Sequence, residues 1–217
     1  MTRLLIANRY FFLPYLILFL TVSVLMLFYT KDDMMHWVNG HYNEAADFFF
    51  SNITNLGDGA FFVIVIVVLA FRSFRYAAMG LASFALSTLI AQGLKHLAFP
   101  NSLRPVKFFE HSEWEYRVIK GLQIHSYNSF PSGHSTSAFA VFCLLALLDE
   151  RKERGWLFVL LAALVAYSRV YLFQHFVEDV FVGSLIGVLS SLVVFLFLSH
   201  RWERVPRSWH KRRLRFR

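Results

Sequence analysis

Long apolar stretches alternate with short polar ones along almost the whole chain. The apolar blocks fall at roughly 10–29, 54–71, 76–98, 132–149, 156–173 and 177–199. Each is near the ~20 residues a helix needs to cross a bilayer. The pattern predicts an all-α polytopic membrane protein with six transmembrane helices, forming one domain over residues 1–217. Between the first two blocks, "DDMMHWVNGHYNEAADFFF" mixes Met34, Met35, Trp37 and Phe48 to Phe50 with acids and histidines. That mixture predicts an amphipathic segment lying in the interface over residues 30–53. Residues 99–131 are expected to form an outer loop, and residues 200–217 a basic tail. Arg3 and Arg9 lead into the first block. That run is too long for a signal-peptide core and no small-residue cleavage pattern follows, so a first membrane helix is expected.

Composition agrees with this pattern. The chain is 57% hydrophobic with mean hydropathy +0.48, more apolar than an ordinary soluble domain. The net charge of +8 would suggest a nucleic-acid partner in a soluble protein, but eight of the 22 Lys and Arg lie in the last 17 residues. A basic tail directly after an apolar block reads as an anchor beside anionic lipid at the cytoplasmic face. No nucleic acid is expected as a partner; the bilayer is. The single cysteine, Cys143, excludes an intrachain disulfide and a cysteine-rich metal site.

Charge also orients the spans. With the N-terminus inside, 15 of the 22 basic residues face the cytoplasm. The other seven, Lys31, Lys95, Arg104, Lys107, Arg117, Lys120 and Arg169, fall outside or at outer helix ends. The positive-inside rule therefore predicts that both termini are cytoplasmic. In that frame Lys95, Arg104, His134, Arg169, His175 and Asp179 all reach the outer face.

Ionisable groups at a membrane edge are candidates for function. In "SRVYLFQHFVED", His175 and Asp179 are four apart and would share one helix face. A carboxylate on one imidazole nitrogen fixes the tautomer and frees the other nitrogen to act as base or nucleophile. Taken alone, the pair also fits a polar contact between helices. In "PSGH", Pro131 suits the first helical position, and Ser132 and Gly133 leave open amides at a helix start, an arrangement that attracts anions. His134 follows, placed to give or take a proton. Lys95 and Arg104 in "KHLAFPNSLRP" add two cations, Lys as a point charge and Arg as a two-pronged donor. Alone, these two fit a snorkelling lysine and a loop arginine. Together the set suits a tetrahedral phosphate and displacement at phosphorus. It contains neither a clustered carboxylate and histidine metal site nor a phosphate-binding P-loop. Spacing leaves open which histidine attacks.

The three segments resemble the signature of the type 2 phosphatidic acid phosphatase superfamily, K-x6-R-P, P-S-G-H and S-R-x5-H-x3-D. The second appears as Pro131-Ser132-Gly133-His134 and the third as Ser168, Arg169, His175 and Asp179. The first departs, with eight residues between Lys95 and Arg104-Pro105, two more than the family pattern; Pro100 and Asn101 are where the excess would be absorbed. The resemblance implies metal-independent catalysis without a cofactor. His175 would attack phosphorus to form a phosphohistidine, supported by Asp179. His134 would protonate the leaving oxygen and then activate water. Lys95, Arg104, Ser132, Gly133 and Arg169 would hold the phosphoryl oxygens.

The expected function is a membrane lipid phosphatase working at the periplasmic face of a bacterial inner membrane. The expected substrates are polyprenyl (undecaprenyl) pyrophosphate or lipids of the phosphatidate and phosphatidylglycerophosphate type, with lipid A dephosphorylation or phosphotransfer as alternatives. A lipid or ion transporter is the non-enzymatic alternative, but no inverted repeat or mid-span break supports it. Asp58 in "NLGDGA" reads as a helix-start acid, and Glu110, Glu113 and Glu115 as a solvated face. The loop 106–130 is expected to contribute to specificity.

Overall fold

The computed structural model describes residues 2–205 and 208–214; part of the predicted basic tail, at 206, 207 and 215–217, lies outside them. All regular structure among the described residues is helical, in the order α1 (Thr2–Ala7), α2 (Arg9–Phe28), α3 (Lys31–Gly40), α4 (Glu44–Ile53), α5 (Gly59–Arg72), α6 (Phe74–Gly93), α7 (Pro105–Phe108), α8 (Gly133–Leu148), α9 (Gly155–Tyr171) and α10 (Val177–Arg204). Most starts carry the side-chain caps their sequences offer. Thr30 and Asp33 close a capping box on α3. Asn43, Asp58 and Ser73 accept from backbone amides at the starts of α4, α5 and α6.

Helices stand at all six apolar blocks, but they are not alike. Four, α2, α6 with its C-terminal turn, α9 with the turn before it, and α10, are long and apolar enough to cross a membrane. A fifth candidate is the pair Glu44–Gly57 and Gly59–Arg72, bent by 56°. The bend falls where Asp58 ends one helix and caps the next. The remaining helix, α8, has 16 residues, about 24 Å of rise. The predicted interfacial segment is two helices rather than one. The chain breaks after Gly40, and Asn43 starts α4 with its side chain.

The short helix α8 is the centre of the bundle. Ala138 to Leu144 are all buried, enclosed by α6, α9 and α10. Its approach to α10 depends on two glycines one turn apart. A Cβ on Gly183 would meet Ser132 O at 2.7 Å, and one on Gly187 would meet Thr136 O at 2.4 Å. Such a small-xxx-small face lets two backbones come close where lipid offers little drive for association. It sets the start of α8 directly against the first turns of α10. By contrast α2, with Leu13, Leu16, Ile17, Leu20 and Val24 exposed, presents an apolar outer face that a bilayer would cover.

Candidate active site

The site lies where the ends of α6 and α9 meet the starts of α8 and α10. His175 is in the connection between α9 and α10, just before the N-cap Phe176, and not on the helix itself. Asp179, in the first turn of α10, folds back across that cap. Its Oδ2 accepts the Phe176 N–H at 2.9 Å and the Ser129 hydroxyl at 2.5 Å, and lies 3.3 Å from His175 Nδ1. Ser129 Oγ is also 3.3 Å from that nitrogen. One ring nitrogen is therefore engaged, and Nε2 has no hydrogen-bond partner among the described residues. His175 is 2% exposed. Burial first, then Arg104, Arg169 and Lys95, hold its pKa well below the ordinary value. Burial thus favours the neutral imidazole, the form in which a ring nitrogen can act as nucleophile.

Three buried cations surround this pair: Lys95, Arg104 and Arg169. Arg169, in the last turn of α9, donates to Thr54 Oγ1 at 2.7 Å and to the Gln174 side-chain carbonyl. Arg104, the N-cap of α7, donates to Tyr127 O at 3.1 Å and Gln174 O at 3.3 Å. Burial lowers the Arg104 pKa and Asp179 opposes the shift. Lys95 lies on a π-helical turn, Leu94–Ala98, that closes α6; such turns are frequent at functional sites. A tight turn follows, in which Ser102 N–H reaches Phe99 O at 3.2 Å. These two irregularities absorb the long Lys95–Arg104 spacing, so Lys95 comes within electrostatic reach of Arg104, Asp179 and Arg169.

At the start of α8 the structure corrects two details. Pro131 is not the first helical residue; it precedes the N-cap Ser132, whose hydroxyl accepts from Ser135 N at 3.4 Å. The Ser132 amide is not open either, because it donates to Asp179 O at 3.0 Å. It ties α8 to α10. The open amides are those of Gly133 and His134, which have no partner among the described residues, and a Cβ on Gly133 would meet nothing within 4 Å. His134 is half-buried and within electrostatic reach of Arg169, Asp58, Arg104 and Lys95. Gly57 packs closely on its backbone, since an added Cβ there would lie 2.8 Å from His134 O and 3.0 Å from His134 Cβ.

The six predicted ionisable residues therefore converge from six segments, the end of α6, the N-cap of α7, α8, α9, the α9–α10 connection and α10. Cations outnumber carboxylates here, and Arg169 Nε is buried with no hydrogen-bond partner among the described residues. A buried positive excess of this kind is costly unless an anion completes it. Its donors match phosphoryl oxygens. Three cations would repel a metal ion, and the described residues contain no group of three His, Cys, Asp or Glu able to hold one. Ser129, Gln174 and Thr54 join the site only in the structure; Ser129 lies two residues before "PSGH", but its spacing does not point to Asp179.

The profile of the PAP2 superfamily matches residues 75–203. This chain belongs to the PAP2 superfamily. Among curated relatives, it is 30% identical over 161 residues to phosphatidylglycerophosphatase B of Bacillus subtilis, covering 66% of this chain and 71% of that one. It is 37% identical over 87 residues to the putative undecaprenyl-diphosphatase YbjG of Escherichia coli, covering 39% and 43%. For the relatives of highest local identity, the match spans only 25% to 43% of their length. The crystal structure of a transmembrane PAP2-type phosphatidylglycerolphosphate phosphatase from Bacillus subtilis superposes with a TM-score of 0.64 and 24% identity, over 93% of this chain and 98% of that one. At that identity the likeness concerns the PAP2 fold. The family match runs from α6 into α10 and so contains every predicted site residue.

Proposed function

We propose that the chain is a membrane phosphatase that removes phosphate from a lipid phosphomonoester or diphosphate through a phosphohistidine. The observation that carries this reading is the pairing of a buried, oriented His175 with a cluster of buried cations, Lys95, Arg104 and Arg169. Lys95, Arg104, Arg169 and the Gly133 amide bind the phosphoryl oxygens, with Ser132 holding the loop that presents them. His175 Nε2 attacks phosphorus while the bond to the lipid oxygen breaks, and protonated His134 gives that oxygen its proton. Neutral His134 then takes a proton from water, whose oxygen attacks phosphorus and releases His175 and inorganic phosphate. Asp179 and Ser129 keep Nδ1 engaged throughout. No step uses a metal or cofactor.

The relatives' names favour an undecaprenyl-type diphosphate or a phosphatidylglycerophosphate; lipid A belongs in the same test. All six apolar helices span the membrane in this reading, as one domain, with the site at the periplasmic face of a bacterial inner membrane, both termini cytoplasmic and α3–α4 along the outer interface. Support for that orientation is the excess of Lys and Arg on the opposite side.

The test is phosphate release by the purified chain from polyprenyl diphosphate, phosphatidylglycerophosphate, phosphatidate and lipid A, with and without EDTA. Release from at least one lipid that survives EDTA and disappears in His175→Ala supports the reading. No release, or loss in EDTA with recovery in Mg²⁺, contradicts it. In a Cys143→Ser background, Ser112→Cys should label from outside and Glu203→Cys only from inside; the reverse would move the site to the cytoplasm.

A further inference from the structure

The turn that delivers His175 is held in a conformation its sequence does not favour. Helix α9 ends in a Schellman motif: Gln174 N–H reaches back to Arg169 O at 3.0 Å and Phe173 N–H to Val170 O at 3.0 Å. The motif requires a left-handed residue at Phe173, whose φ is 59°. Glycine usually fills that position because it lacks the Cβ that clashes there; a bulky side chain with positive φ is an outlier. Such outliers persist only where the surroundings over-determine them.

The surroundings are aromatic and come from the outer loop. Phe173 is 1% exposed. The Tyr116 ring stacks on it at 4.7 Å and 18°, with Trp114 at 5.8 Å and Phe109 at 5.9 Å. Phe176, on the other side of His175, meets Phe108 at 5.4 Å. The loop is itself fastened to α3 and α4. Asn39 exchanges two 2.8 Å bonds with the Arg117 backbone, and the Arg117 guanidinium pairs with Asp47. What hangs on the turn is the site: Gln174 accepts from both Arg104 and Arg169, and the His175 N–H is bonded to Arg169 O at 3.1 Å. If Phe173 relaxed to negative φ, the chain beyond it would swing and release both arginines and the histidine together.

We propose that this aromatic segment is a clamp that keeps Phe173 left-handed, making Phe173, Trp114 and Tyr116 positioning residues for the nucleophile and its phosphate-binding arginines. The proposal deepens the phosphatase reading and rests on it for its kinetic consequences. The clamp acts on turnover and not on the lipid. Trp114→Ala and Tyr116→Ala should each lower kcat by roughly 10–100-fold, the scale of a small misplacement of reacting groups. The loss should be equal on a lipid and on a soluble aryl phosphate, with any rise in KM shared by both because the displaced arginines hold the phosphoryl group, and Tyr116→Phe should retain activity. Adding Phe173→Gly to Trp114→Ala should restore much of kcat, since glycine needs no clamp at positive φ. Loss confined to the lipid, or a double variant no better than Trp114→Ala, would overturn the clamp.

Amide hydrogen exchange of the full chain in detergent reads the same turn without activity. Protection at Gln174 and His175 should fall in Trp114→Ala and return in the double variant; unchanged protection in Trp114→Ala contradicts the clamp. If no substrate yields phosphate while the exchange pattern holds, the phosphatase reading fails and the clamp stands. Tyr116→Leu provides the same comparison should Trp114→Ala not fold.

Discussion

The two histidines of the site are held in opposite ways. His175 sits in a turn gripped on every side: Asp179 and Ser129 at Nδ1, Arg169 O at its amide, and aromatic rings on the phenylalanines flanking it. His134 lies half-buried in the first turn of α8, with no side-chain hydrogen bond among the described residues. It has charged neighbours, and only its backbone and Cβ are packed against Gly57. The difference fits the two tasks proposed for them. A nucleophile meets one atom, phosphorus, along one line, and gains from being fixed. A group that protonates a leaving oxygen and then deprotonates water meets two partners in turn, and gains from being unattached.

The largest effect that sharpens this contrast is His175→Ala, which should remove turnover on every substrate, measured as phosphate release; retained turnover would break the comparison. Asp179→Asn keeps the shape but supports the wrong tautomer, and should cost roughly 10⁴-fold in kcat. His134→Ala should cost roughly 10²–10⁴-fold on an alkyl phosphate and far less on an aryl phosphate, whose leaving group needs little protonation. Equal losses on both would mean that His134 does more than serve the leaving group. Ser129→Ala removes one bond to a charged partner and should cost about tenfold in kcat, with KM unchanged.

The smallest effect is on stability. The folded-state pKa of His175 is pushed below the value near 6.5 expected in the unfolded chain. Below that pH the unfolded state binds the proton first. The contribution of His175 is therefore fully present above about pH 6.5 and lost as pH falls toward the folded pKa. The Tm in detergent should drop with acidification less steeply in His175→Gln than in the parent chain; identical slopes would mean that His175 is not buried and neutral.

These tests rest on residues of unequal legibility. The helical fold and the convergence of Lys95, Arg104, His134, Arg169, His175 and Asp179 were readable, because apolar blocks, positive-charge bias and helix-end chemistry are local signals. The long Lys95–Arg104 spacing is legible in part. Pro100 and Asn101, where the excess is expected, are the central residues of the turn that Ser102 N–H closes on Phe99 O, whereas no residue announces the π-helical turn at Leu94–Ala98. Gly183 and Gly187, four apart, were a readable sign of close helix packing that went unused. Ser129 and Gln174 were not legible. Their partners are 50 residues away in one case, and in the other depend on a left-handed turn that phenylalanine hides. The break at Gly40–Asn43 was missed because amphipathic composition gives a segment's environment, not its continuity.

Single-turnover chemistry with trapping of the phosphorylated enzyme tests the central claim most directly. With labelled substrate mixed against excess enzyme and quenched in alkali, the parent chain should carry an acid-labile phosphate on His175. His134→Ala should accumulate more of it when an aryl phosphate is the donor, because loss of the water-activating group slows its hydrolysis. His175→Ala should carry none. Phosphoenzyme in His175→Ala, together with none in His134→Ala, would show that the half-buried histidine attacks and the clamped one assists.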